Sequence, residues 1–200
     1  MMIARDRHGC ERIGARCLAL LEKFDLPVFR WNGRYWMGWA KAQGPTVSEG
    51  LALMEEAFPS IVNEQLYKFF GAALAEARFD AGRVTDALAL VDYALNTGEG
   101  PASGLYVPEI HRLRSVFLKS LGSPAEEVER ALRMALEVAE QQGAFLLKLR
   151  ASTDLARLWR DQGKVQEARE LLAPVYGWFT EGFDTRDLKK AKALLEELAA

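Results

Sequence analysis

Apolar residues recur at helical spacing along most of this chain, and glycines interrupt them at nearly regular intervals. In "LRASTDLARLWRDQG", Leu149, Leu155, Ala156 and Trp159 fall on one face of a helix, and "YKFFGAALAEARFDAG" puts Phe70, Leu74 and Ala75 in matching positions. The runs end at Gly44, Gly82, Gly122 and Gly163, spaced 38, 40 and 41 residues apart. A glycine inside a continuous helix costs about 1 kcal/mol relative to alanine. The recurrence therefore marks turns between antiparallel helices, where freedom at positive φ is useful. An alanine follows Gly82 and Gly163 at the same offset: "GRVTDALALVDYAL" aligns with "GKVQEARELLAPVY", matching Ala87 to Ala168. Gly122 is followed by a longer link, with Ala131 its equivalent.

Start signals agree with second helices in these pairs. Thr46 and Glu49 have the spacing of a capping box, and "SPAE" at 123–126 offers a proline for the first helical position. The pattern predicts a helix near 10–24, helical hairpins near 28–58, 64–97, 105–142 and 144–181, and a closing helix near 184–199, as one domain over 1–200. "TGEGPASGLYVPE" is the most loop-like stretch, and the continuing period favours a long inter-repeat loop over a domain boundary.

Composition narrows the class. Half of the 200 residues are apolar, 27% are charged and the net charge is −2, the profile of a globular chain with no general affinity for nucleic acid. Cys10 and Cys17 stand too far apart for a CxxC pair and read as reduced thiols. "MMIARDRHGCER" lacks the apolar core of a secretory signal, and Arg30, Asn32, Arg34 and Lys41 break the one aromatic-rich stretch that could be taken for a membrane span. A cytoplasmic protein without membrane association is expected.

The hairpins resemble the tetratricopeptide repeat (TPR), a helix-turn-helix unit with Trp, Leu-Gly, Tyr, Ala, Phe and Ala at fixed offsets. The last hairpin fits best: Leu155 and Ala156 stand at the Leu-Gly pair, Trp159 at the Tyr, Gly163 at the turn, Ala168 at the alanine, Leu172 at the Phe and Val175 at the final Ala. The period is longer than the usual 34 residues, and Ser115 and Ala75 replace a preferred glycine. The resemblance implies an all-α, right-handed solenoid of TPR-like hairpins with a C-terminal capping helix. A narrower resemblance covers residues 105–198, above all "LLAPVYGWFTEGFDTRDL". It is to the C-terminal end of large bacterial regulators that join a class III adenylate/guanylate cyclase or a winged-helix domain to an ATPase and a TPR array. It implies the regulatory tail of such a protein, encoded alone or cut off; neither a GxxxxGK[ST] loop nor a cyclase pair of metal-binding aspartates accompanies it.

Chemistry is sparse. Glu109 and His111, two apart, point to different faces of a helix, and no serine sits in a nucleophile elbow. No catalytic, metal or cofactor residue is expected. In "FRWNGRYWMGW" the aromatics cannot all face inward from one helix: Trp36 and Trp39 can share the core stripe, with Trp31 elsewhere, as packing or as an anchor for a partner. Tyr176, Trp178, Phe179 and Phe183 are expected to seal the array beneath a last helix whose Leu188, Ala191, Leu194, Leu195 and Leu198 share one face.

The TPR resemblance also implies which positions line the concave surface: Trp31, Arg34 and Lys41; Phe69, Glu76 and Phe79; Glu109, Arg112 and Lys119; Arg150, Arg157 and Arg160. Most are cationic or aromatic, so the expected ligand is an acidic peptide or the acidic patch of another domain, the cyclase or ATPase domains of a parent protein included. A solvated charged face is the alternative. Reversal of Arg112, Arg150 and Arg157 should then abolish binding with little loss of fold. The function expected is a non-catalytic interaction and regulatory module; the alternative is a small-molecule sensor with a pocket between repeats near Trp31 and Phe69.

Overall fold

The structure is a computed structural model that describes residues 7–25, 29–61, 63–97 and 104–199, with only the backbone of Glu64 and Gln65. Ten α-helices and no strand occur among them. In chain order they are α1 (Arg7–Lys23), α2 (Arg30–Ala42), α3 (Val47–Ala57), α4 (Glu64–Asp80), α5 (Val84–Asn96), α6 (Val107–Ser120), α7 (Ala125–Gln141), α8 (Phe145–Asp161), α9 (Val165–Gly177) and α10 (Arg186–Glu197). A 3-10 turn, Phe58–Ser60, follows α3. Residues 98–103, most of the expected inter-repeat loop, lie outside the described residues.

The glycines act as the spacing requires at Gly163, where φ is +79°. There Gly163 N–H donates to the Arg160 carbonyl and Lys164 N–H reaches back to the Trp159 carbonyl, each at 2.9 Å, the paired bonds of a Schellman ending. The same pair of bonds and a positive φ recur at Gly82, Gly122 and Gly143. Gly44 differs: its φ is not positive, and its N–H donates only to the Lys41 carbonyl. The Thr46–Glu49 capping box does not form. Thr46 sits at φ −105°, ψ 45°, its side chain makes no capping bond, and Glu49 instead accepts from Lys41 Nζ at 3.0 Å. Pro124 occupies the N-cap of α7, one residue before the expected place.

The chain divides into two compact units, Met1–Leu90 and Val91–Ala200. In the first, α1 packs on α2, and α2 on α3. Small residues set the α2–α3 distance: a Cβ on Gly50 would lie 2.3 Å from the Ala42 nitrogen and 2.5 Å from the Gly38 carbonyl oxygen. Tyr35, Trp39 and Met54 are fully buried.

In the second unit α6 packs on α7 and α8, and α8 on α9 and α10. Its C-terminal core joins Leu149 and Ala156 of α8, Ala168, Leu172 and Val175 of α9, and Leu188, Ala191 and Leu194 of α10 with Leu198 just beyond it, flanked by Trp159, Tyr176, Phe179 and Leu195. Thus α10 covers apolar surface as a terminal helix must. Two of the expected sealing aromatics do otherwise. Trp178 is 54% exposed and stacks on Phe145 with ring centroids 3.8 Å apart, and Phe183 is also largely exposed. The chain leaves α9 at Trp178, which turns this side chain toward the start of α8 instead of beneath α10.

Candidate functional site

Charge in the second unit is concentrated where α6, α8 and α10 meet. Arg112 lies one turn after Glu109 on α6, so its guanidinium folds back onto that carboxylate in a bidentate pair, at 3.0 Å from Nε and 2.8 Å from Nη2. Its Nη1 reaches Asp154 of α8 at 2.7 Å. Arg150 of α8 completes the cluster, 2.8 Å from Asp187 of α10 and 3.5 Å from Glu109. Glu109, Arg112 and Arg150 are all buried. Burial by itself lowers an arginine pKa, but Glu109 and Asp154 around Arg112, and Glu109 and Asp187 around Arg150, more than reverse this and raise both.

The remaining expected cations lie nearer the surface. Arg157 pairs with Asp154 at 2.8 Å, Lys119 with Asp161 at 3.4 Å, and Arg160 with both Asp161 and Glu197. Five cations therefore face five carboxylates: Arg112, Lys119, Arg150, Arg157 and Arg160 against Glu109, Asp154, Asp161, Asp187 and Glu197. Within one helix the i,i+3 spacings of Glu109 with Arg112 and of Asp154 with Arg157 foreshadow part of this neutralisation, whereas the pairs of Arg112 with Asp154 and of Arg150 with Asp187 join different helices. Arg112 and Arg150 hold helices together, so reversing them would strand buried carboxylates. The charge-reversal test passes to Lys119, Arg157 and Arg160.

In the first unit the aromatic segment converges on one ring. Trp31, Tyr35 and Trp36 of α2 and Phe69 of α4 all meet Phe70 edge-on, with centroids 4.7–5.7 Å away. The expectation that Trp31 points elsewhere is corrected: α4 packs beside α2, so a partly buried Trp31 reaches Phe70 from its own side. Tyr35 donates its hydroxyl to the Phe70 carbonyl, and burial pushes its pKa well up. Arg34 pairs with Glu56 and Lys41 with Glu49. Glu76 and Phe79 are half-buried on α4.

His111 is buried, its Nε2 without a partner, and desolvation aided by nearby Arg114 lowers its pKa to about 4. Among the described residues no group of three or more His, Cys, Asp or Glu could hold a metal ion, and no helix is long and apolar enough to cross a membrane.

No family model matches the chain. A curated relative, an uncharacterized protein of Rhizobium meliloti (strain 1021), is 26% identical over an alignment of 160 residues that covers 76% of this chain but 15% of that protein. Among solved structures, BtubC (BKLC) from P. vanneervenii is similar over all of this chain and 90% of its own, with 15% identity and a TM-score of 0.69. A putative kinesin light chain of nearly identical TPR-like repeats from Podosopora anserina matches 86% of this chain and 87% of its own, at 17% identity and TM-score 0.62. A thermophilic TPR protein from Thermus thermophilus matches 94% of this chain and 99% of its own, at 18% identity and TM-score 0.62. Ten helices among the described residues, four of them closed by Schellman turns, make the fold with these likenesses all-α and TPR-like.

Proposed function

We propose that the chain is a non-catalytic protein-interaction module. The observation that carries this reading is the TPR-like hairpin fold itself, with helices packed side by side within each unit. The charged face of the second unit is the proposed contact, through Lys119, Arg157 and Arg160. Each is held by a carboxylate at or near the surface, a bond worth about 0–1 kcal/mol, so an incoming acidic side chain exchanges for it at little cost.

The same reading takes the chain as the regulatory tail of a larger protein of the cyclase- or transcription-linked ATPase kind, working in the cytoplasm. In support, the matched segment makes up only 15% of the Rhizobium meliloti relative.

The test is affinity capture from the native host followed by mass spectrometry, with wild-type chain and a Lys119→Glu/Arg157→Glu/Arg160→Glu variant as baits. A protein retained by the first and lost from the second is the expected result. Equal retention removes the surface assignment, and nucleotide turnover by the purified chain overturns the non-catalytic reading.

A further inference from the structure

We infer that the first unit carries a binding cleft for a small carboxylic acid with an apolar body. The cleft opens between the start of α2, the 3-10 turn after α3 and the start of α4, with a volume of about 820 Å³. That lies within the range of ligand pockets, roughly 300–1,000 Å³. Its floor is formed by Ala57 and Ile61, both buried. Its sides are large apolar side chains left open: Phe29 is 54% exposed and Leu66 43%, and between them Trp31 is fixed by its edge-on contact with Phe70.

Charge completes the selection. Arg30 lines the cleft and has no ion pair or hydrogen bond among the described residues. Arg34 lines it too, paired with Glu56 at the rim. Among the described side chains, the cleft is lined by two guanidiniums and one carboxylate. The start of α4, where Asn63 caps the Leu66 N–H at 3.1 Å, adds the positive end of a helix dipole. An unpaired guanidinium above an apolar floor is matched by one carboxylate on a hydrophobic body. A cation would meet the like charge of Arg30, and a neutral alcohol would leave its fork unused.

Isothermal titration of the full chain with 4-phenylbutyrate, beside the matched 4-phenylbutylamine and 4-phenylbutanol, tests this. Saturable one-site binding of the acid, at least tenfold tighter than amine or alcohol, is expected. Arg30→Gln and Leu66→Glu should each weaken it tenfold or more while helix content and melting temperature stay at wild type. Both positions are exposed, so the variants keep the fold. Equal binding of the amine, no saturation at millimolar acid, or unchanged affinity in both variants overturns the inference. So does binding of a peptide with a C-terminal phenylalanine when the free acid does not bind, which would make the cleft a contact for protein termini. Because the partner surface lies on other residues, failure here leaves the capture experiment unaffected.

Discussion

Replacing Arg112 by methionine should destabilise the second unit more than any other single change to its charged face. Methionine keeps much of the side-chain length and apolar stem, so the perturbation is chiefly the loss of charge. Arg112 supplies two close bonds to Glu109, a residue only 3% exposed, while Arg150 stands farther off at 3.5 Å. Breaking a buried pair by removing one partner costs about 3–5 kcal/mol, because the other charge stays desolvated and uncompensated. Arg150→Met is milder. It strands no fully buried carboxylate: Glu109 keeps its bidentate partner and Asp187 is itself partly exposed, so about 1–3 kcal/mol is lost. Arg157→Met removes a half-exposed surface pair from Asp154, which Arg112 still holds, and costs about 1 kcal/mol or less.

The assay is urea unfolding followed by helical ellipticity, comparing midpoints at constant slope. The ordering Arg112 > Arg150 > Arg157 is the result to check. A companion Glu109→Leu/Arg112→Met variant removes both charges and should recover most of the loss, since a buried pair replaced by apolar residues is often neutral. If Arg112→Met costs no more than Arg157→Met, or the double variant is worse than the single, the network does not act as a buried, mutually dependent set of charges.

Three further outcomes follow from local geometry. Gly50→Ala should destabilise the first unit by roughly 1–3 kcal/mol in the same assay, because its Cβ meets the backbone of α2, which has no rotamer through which to yield. Gly163→Ala should cost about 1 kcal/mol from φ alone, nothing lying within 4 Å of the new Cβ, whereas Gly177→Ala, helical and equally open, should gain about 0.5–1 kcal/mol. His111 has its folded pKa lowered from 6.5 to about 4 by burial and then by Arg114, so the unfolded chain binds the extra proton first as pH falls. Its contribution to stability is therefore present above pH 6.5 and lost between pH 6.5 and about 4; His111→Gln should flatten that part of the stability–pH curve relative to wild type, and an unchanged slope would refute the assignment.

The turns were legible because a positive-φ ending is a local event: Gly82, Gly122 and Gly163 each close a helix with bonds spanning a few residues, so identity and spacing together suffice. Gly44 shows the limit, since a glycine at the same period ends its helix without the left-handed step. Faces of single helices were legible for the same reason, and the apolar stripes of α8 and α10 are buried where their periodicity puts them. What one helix cannot report is which side chains its neighbours bring. Phe70 of α4 gathers three aromatics of α2, a partner that α2 alone does not name, and the arginines expected to await an acidic ligand meet acids of the chain itself. A cation's periodicity fixes the face it occupies, but its availability depends on the sum of charges contributed by every helix packed against it. On the charged face of the second unit each of these cations meets a carboxylate, whereas among the described residues Arg30 in the cleft of the first meets none.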